Sequence, residues 1–301
     1  MPKVEVKKVH TFSGHKDCLY TIQYLGNDQF VAAGAEGLIS LWNLRDNTKA
    51  TGLAKVDSSI YSMYFHESEN LLIVGENFSG IHLINTESRQ EINSLQLPKS
   101  AFFNIQLIDE NIWVVTSTGE LHVIDLEMKI VRSQKLANES ARCFVDLTER
   151  NEVAIGFSDN SIKIVSKENF EKNWELEGHT NSVFAIAASE DGKMIVSGGR
   201  DACLKFWSLD DFSFQESIVA HMYAINSIDF SPNGRYFVTC SMDKTVKVWD
   251  YKQRKLIKVI DYARYQGHKT SVNKVVWLSD AEILSCSDDR SIALWNVSIT
   301  D

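Results

Sequence analysis

The sequence predicts an all-β fold made of seven repeated units, each with four short antiparallel strands. Three observations carry this expectation. An aromatic or aliphatic residue recurs at one phase, at Trp42, Ile84, Ile124, Val165, Trp207, Trp249 and Trp295, at intervals of 42, 40, 41, 42, 42 and 46 residues. In the last three units an aspartate stands six positions before the tryptophan: Asp201 and Trp207 in "GGRDACLKFWSL", Asp243 and Trp249 in "CSMDKTVKVWD", Asp289 and Trp295 in "CSDDRSIALWN". Between the turn residues, apolar and polar positions alternate with a period of two, which suits strands rather than helices.

The fifth unit shows the order of elements within a repeat. "SVFAIAAS" reads as the first strand, "MIVSGG" as the second, "CLKFWSL" as the third and "FQESIVA" as the fourth. Glu190, Asp191, Gly192 and Asp201 supply the turns between them. Repeats of this size match the blades of a propeller, which bury both faces only when their neighbours stack on them. The expectation is a seven-bladed β-propeller of four-stranded antiparallel blades, a single domain over residues 1–301.

The phase of the repeat also predicts how the ring closes. Only "NVSITD" follows Trp295, too little for the end of that strand and a fourth one, while "KVEVKKVHTF" precedes the first unit without a blade of its own. The amino-terminal segment is therefore expected to supply the outer strand of the last blade, removing a loose sheet edge.

Composition narrows the function classes. The chain is 44% hydrophobic and 24% charged, as ordinary folded proteins are. Its net charge of −9 disfavours nonspecific attraction to nucleic acid or anionic membranes. No apolar run reaches the roughly 20 residues of a membrane span, and the first residues lack the apolar core of a secretory signal, so a cytoplasmic location is expected. Cys18, Cys143, Cys203, Cys240 and Cys286 are odd in number and widely separated, and read as free thiols. His10, His66, His82 and His122 read as scattered and exposed, and their spacing gives no metal site. Neither a phosphate loop nor a GxGxxG turn is present, so no cofactor is expected.

Four of the units carry a further motif before the first strand: Gly14-His15, Gly178-His179 and Gly267-His268, with Ala220-His221 as a near match. With the downstream Asp and Trp, these residues resemble the WD-repeat family of β-propellers. The first unit departs from the pattern with Glu36 at the acid position, and units two to four match only through strand pattern and spacing, with Phe78, Thr118 and Asp159 there.

The resemblance implies a hydrogen-bonded chain inside each matching blade: His179, Ser197, Asp201 and Trp207; His221, Thr239, Asp243 and Trp249; and His268, Ser285, Asp289 and Trp295. A serine, histidine and aspartate together also invite a catalytic-triad reading. A triad is needed once, at an exposed site, whereas this set recurs on a buried period. Units two to four, lacking it, are expected to rely more on apolar packing.

The resemblance further implies partner contacts on one loop face around the central channel. Mapped onto this chain, that face is Tyr20, Tyr61, Phe103, Arg142, Phe184, Arg200, Asn226, Met242, Asn273 and Asp288. Flat rings and guanidinium groups suit a binding hot spot, and a peptide with an apolar anchor and an acidic group is the expected ligand. Residues 251–269, "YKQRKLIKVIDYARYQGHK", are locally basic and contain the 46-residue interval. They read either as an outer strand whose lysines discourage edge pairing or as a site for an anionic partner.

The leading expectation is a non-catalytic scaffold for protein or peptide partners, alone or within a multi-subunit complex. The alternative is a propeller enzyme, a hydrolase or oxidoreductase, with its site at the channel mouth; Asp288 is the one acid among the mapped face residues. A nucleic-acid partner is disfavoured by the overall acidity.

Overall fold

A computed structural model describes residues 3–97 and 100–300. They fall into two compact units, one of the described residues in 14–142 and one that joins residues 3–13 to residues 143–300. The amino-terminal strand is β1 (Lys3–Ser13).

Three four-stranded sheets build the unit of residues 14–142. They are β2 (Leu19–Gly26), β3 (Gln29–Gly34), β4 (Leu38–Asn43) and β5 (Asp46–Lys55); β6 (Ile60–His66), β7 (Leu71–Glu76), β8 (Gly80–Asn85) and β9 (Gln90–Gln96); and β10 (Phe102–Ile108), β11 (Asn111–Thr116), β12 (Glu120–Asp125) and β13 (Ile130–Lys135).

The other unit holds the remaining strands. A sheet of β14 (Ala141–Leu147), β15 (Glu152–Phe157), β16 (Ile162–Ser166) and β17 (Lys172–Leu176) is followed by one of β18 (Val183–Ala188), β19 (Met194–Gly199), β20 (Cys203–Ser208) and β21 (Phe214–Val219). Next come β22 (Ile225–Phe230), β23 (Tyr236–Ser241), β24 (Val246–Asp250) and β25 (Lys255–Ile260), then a short helix α1 (Tyr262–Tyr265), and finally β26 (Val272–Ser279), β27 (Glu282–Ser287) and β28 (Ser291–Thr300). Strand β1 pairs antiparallel with β28, from Lys3 opposite Thr300 to Ser13 opposite Ser291, and so becomes the outer strand of the last sheet.

Burial follows strand position. The second strand of a sheet is buried on both faces, as in β19 and β23, and its sequence is correspondingly an unbroken apolar or small-residue run. The fourth is the most exposed in most sheets; every residue of β13 is exposed, whereas β25 (KLIKVI) is partly buried. In the first unit a core of Val31, Ile39, Ile60, Leu72 and Val74 joins two sheets, and in the second Val238, Val248, Val275 and Trp295 do the same.

The first and second strands approach closely where the turn begins. A Cβ on Gly199 would lie 2.1 Å from the Ser182 carbonyl, and one on Gly34 1.9 Å from that of Cys18, so only glycine fits at either place. After the acid position the chain turns through a positive φ, at Gly37, Gly119, Asn160, Ala202, Lys244 and Arg290. The second sheet differs: there the positive φ falls one residue earlier, on Phe78 itself, which is 64% exposed.

The helix α1 is not apparent from the strand pattern. It occupies the long interval before the last unit, capped by Asp261, whose Oδ1 accepts the Arg264 amide at 2.8 Å. The scattered histidines are also less exposed than expected: His122 is buried, and His10, His66 and His82 are half-buried. Their neighbours explain it: His122 Nδ1 lies 2.7 Å from Ser133 Oγ, His82 Nε2 3.0 Å from Glu76 Oε2 and His66 Nε2 3.4 Å from Ser68 Oγ, while the His10 ring packs edge-on against Phe12.

Candidate partner-binding face and the polar chains beneath it

In the sheets of β18–β21, β22–β25 and β26–β28, a histidine reaches from the loop before the first strand into the blade. His179 Nδ1 lies 2.9 Å from Asp201 Oδ2 and its Nε2 2.8 Å from Ser197 Oγ, which also accepts the Trp207 indole N–H at 2.9 Å. His221 repeats this with Asp243 at 2.8 Å and Thr239 at 2.7 Å, and Trp249 donates to the Thr239 hydroxyl at 3.0 Å. His268 does so with Asp289 at 3.2 Å and Ser285 at 2.8 Å, with Trp295 donating to Ser285 at 2.9 Å. The three histidines, Ser197, Thr239 and Ser285 are all buried. Each hydroxyl therefore serves as a junction between an imidazole and an indole, and every polar atom taken from water has a partner.

The carboxylates also accept backbone amides: Thr180 N to Asp201, Met222 N to Asp243 and Lys269 N to Asp289. Burial pushes all three upward, but the hydrogen bond and charge of the histidine, joined by these amides, outweigh it and hold them below the ordinary carboxylate range. Burial likewise holds the His221 imidazole below its usual value, against Asp243.

The first unit departs from this chain in ways that the sequence alone does not reveal. His15 Nδ1 meets Glu36 Oε1 at 2.7 Å, and its Nε2 meets Ser40 Oγ at 2.5 Å, to which Trp42 donates at 2.7 Å. The hydroxyl has crossed the ladder: Ser40 pairs with Ala32, just as Lys205 pairs with Ser197. In the next sheet Glu76 accepts the Asp57 and Ser58 amides, both at 2.8 Å, and His82 Nε2 at 3.0 Å. In the third, Thr118 Oγ1 lies 2.9 Å from Thr116 Oγ1 and donates to Glu120 Oε2 at 2.6 Å. In the sheet of β14–β17, Asp159 accepts the amide and hydroxyl of Ser161 at 3.0 and 2.6 Å, with Lys163 at 3.6 Å. Units two to four thus hold polar sets of their own at or near the position of the His–Ser/Thr–Asp–Trp chain.

The candidate face residues form two groups. In residues 14–142, Tyr20 packs edge-on against Tyr61 with centroids 5.0 Å apart, Tyr61 stacks on Phe103 at 5.7 Å, and the Arg142 guanidinium lies 4.2 Å over the Phe103 ring. All four are half-buried. The first strands of successive sheets present them: Tyr20 on β2, Tyr61 on β6, Phe103 on β10 and Arg142 at the start of β14. The result is a continuous ladder of rings ending in a cation.

In the other unit Asp288 Oδ1 accepts Asn273 Nδ2 at 2.7 Å, Ser271 Oγ donates to Asn273 Oδ1 at 2.9 Å, and Asn226 Nδ2 donates to Ser271 Oγ at 3.2 Å and to the Val272 carbonyl at 2.8 Å. This polar string links two first strands, β22 and β26. Phe184 is half-buried on β18, while Arg200 and Met242 are exposed in turns. Met222 and Tyr223, 81% and 62% exposed, stand beside Met242, whose amide bonds the Ala224 carbonyl at 3.0 Å. Sequence reasoning missed both; the signal was "HMY", where apolar residues follow the histidine that Thr180 and Lys269 follow elsewhere. Among the described residues no group of three or more His, Cys, Asp or Glu is placed to hold a metal ion. Among the described residues no helix is long and apolar enough to cross a membrane.

The family model described as WD domain, G-beta repeat matches residues 6–43, 170–208, 212–250 and 260–296, just over half of the chain. The chain belongs to this WD40 family. Three of the matched segments contain the repeated His–Ser/Thr–Asp–Trp chains, and the fourth contains the Glu36 variant. No curated protein sequence matches this WD40 chain. Among solved structures, the "Crystal structure of WD40 beta propeller domain of Doa1" is similar with a TM-score of 0.87 at 17% identity, covering 98% of this chain and 97% of that one. The likeness shows the fold: a seven-bladed β-propeller whose last blade is completed by β1. With 1842 chains of known structure matching, similarity of fold carries no information on a partner.

Proposed function

We propose that this WD40 propeller is a non-catalytic scaffold that binds a protein or peptide through the ladder of Tyr20, Tyr61, Phe103 and Arg142. WD40 propellers generally bind proteins, and a rigid set of blades displaying variable loops suits that work. The observation that carries the reading is the continuity of the ladder: three rings in contact and a guanidinium over the last, all half-buried. An apolar side chain of a ligand would lie along the rings, and an acidic group would meet Arg142 in a charge-assisted pair. The exposed Phe78, held at a positive φ of 65°, is a further contact for the same ligand.

The remaining face residues, Phe184, Arg200, Asn226, Met242, Asn273 and Asp288, belong in this proposal to a second contact area with Met222 and Tyr223. The chain is read as a single domain over 1–301, a reading supported by its match to one propeller domain over 98% of its length. A cytoplasmic location and membership of a larger complex complete the proposal.

Selection from a random peptide library tests it. Peptides enriched on the wild type are expected to carry an apolar residue near an acidic one and to lose binding at least about tenfold on a Phe103→Ala, Arg142→Ala variant of unchanged melting temperature. Enriched peptides that bind both proteins equally overturn the ladder as the site.

A further inference from the structure

The long interval before the last unit builds a feature that the scaffold reading does not use. Helix α1 and the Gln266–Lys269 segment rise beside β1 and create two adjoining cavities that share Tyr262 and Lys269 as walls. The larger, about 520 Å³, is lined also by Asp243, Lys244, Thr245, Asp261, Ala263 and His268. The smaller, about 310 Å³, is lined by Lys8, Thr11, Gln266, Gly267, Asp289 and Ser291.

The charges in these walls are unevenly committed. Asp243 is bound by His221 at 2.8 Å, by Met222 N and by the Thr245 hydroxyl at 2.6 Å. Asp289 accepts from His268, Lys269 N and Ser291. Asp261 holds Arg264 through its Nε at 2.9 Å and Nη2 at 2.7 Å. In contrast, Lys8, Lys244 and Lys269 form no salt bridge among the described residues; Lys8 and Lys269 instead lie 5.6 Å from the ring centroids of Trp295 and Tyr262. Burial holds the Lys8 ammonium below the ordinary lysine range, with Asp289 raising it and the Lys269 charge lowering it again. Two ammonium groups thus face one small cavity whose carboxylate, Asp289, is already held by His268, Lys269 N and Ser291, with hydroxyls beside them and a larger cavity flanked by a tyrosine next to it.

We propose that this place binds a phosphate monoester, its phosphate between Lys8 and Lys269 and its organic part in the larger cavity against Tyr262 and Ala263. A dianion relieves the repulsion between the two ammonium groups and accepts from both. Lys244 faces the organic part, where a second anionic group on the ligand would lie. The basic stretch of residues 251–269 thereby contributes through the helix and loop that end it, Tyr262 to Lys269, rather than through the outer strand β25.

Calorimetric titration of the full chain with phenyl phosphate and with inorganic phosphate tests this. Both are expected to bind saturably, phenyl phosphate about tenfold more tightly, and Lys269→Gln and Lys8→Gln each to weaken both by about tenfold. Tyr262→Ala is expected to weaken phenyl phosphate more than inorganic phosphate, since the ring walls both cavities. Lys269 and Tyr262 are exposed, so these variants keep the fold, and melting curves confirm it. A phosphoserine peptide that binds more tightly than phenyl phosphate, and depends on Lys269, keeps the site and assigns its ligand to a phosphorylated side chain. No binding up to about 10 mM, or equal binding by the wild type and Lys269→Gln, overturns the proposal.

Discussion

In the sheets from β18 to β28, one chemical solution is used three times: a histidine, a hydroxyl, an aspartate and a tryptophan at fixed positions. In the unit of residues 14–142, each sheet meets the same corner with different groups, Glu36 with Ser40, Glu76 with His82, and Thr116 with Thr118 and Glu120. What persists at this corner is a polar side chain held by a hydrogen bond to a neighbouring group in every sheet. The identity of those partners is free to drift so long as the local geometry closes. The unit in which no sheet has the full histidine–hydroxyl–aspartate–tryptophan set is also the one that carries the ring ladder.

The comparison is broken most severely at Asp243, which fixes His221, an amide and a hydroxyl, with the imidazole and the carboxylate almost fully buried. Asp243→Ala is expected to cost about 3–4 kcal/mol in urea unfolding, because the His221 ring N–H, the Met222 amide and the Thr245 hydroxyl lose their common acceptor. Glu76→Ala should cost less, about 2–3 kcal/mol, through the Asp57 and Ser58 amides and His82. A cost below about 0.5 kcal/mol would mean that the drifted unit does not depend on its substitute.

A sharper form concerns the crossed hydroxyl. Ser40→Ala is expected to lose about 1–2 kcal/mol by orphaning the Trp42 indole and His15. Adding Ala32→Ser restores the hydroxyl to the strand that carries it at Ser197, and at least about half of the loss should return. If the double variant is no better than the single, the two positions are not interchangeable.

The smallest effect expected is that of Asp289→Asn, about 1 kcal/mol at neutral pH. The folded-state value of Asp289 lies below its unfolded one, so its contribution is present above about pH 4 and is lost as pH falls through that value toward the folded one. The stability gap between this variant and the wild type should therefore narrow as pH falls from about 7 to about 3, as measured by urea midpoints. A constant gap would mean that His268 does not stabilise the charged form.

Much of this was legible in the sequence. The recurrence of Trp207, Trp249 and Trp295 at one phase is enough to place strands, because a two-residue period and a turn acid leave little freedom in register. The outer position of β1 followed from a shortage of residues after Trp295. The crossed hydroxyl was not legible: Ser40 substitutes for a residue on another strand, and only the pairing with Ala32 exposes the relation. Glu76 was missed because it stands two residues before the position held by an acid in five of the other six units. Helix α1 escaped because four residues ending in a left-handed Gln266 have no periodicity to read. Tyr20, Tyr61 and Phe103 were named individually, but their contact depends on how neighbouring sheets align, which no single strand encodes.

The pairing of β1 with β28 also sets an order in time. Their hydrogen bonds reach across as many as 297 positions, from Thr300 to the Lys3 carbonyl. A ribosome adding roughly 5–20 residues per second delivers β28 about 15–60 s after β1. The sheets in between can pair as they emerge, since each uses neighbouring segments. The first strand made must wait for the last, so the amino terminus spends synthesis as an unpaired edge, open to chaperones and to neighbouring nascent chains alike.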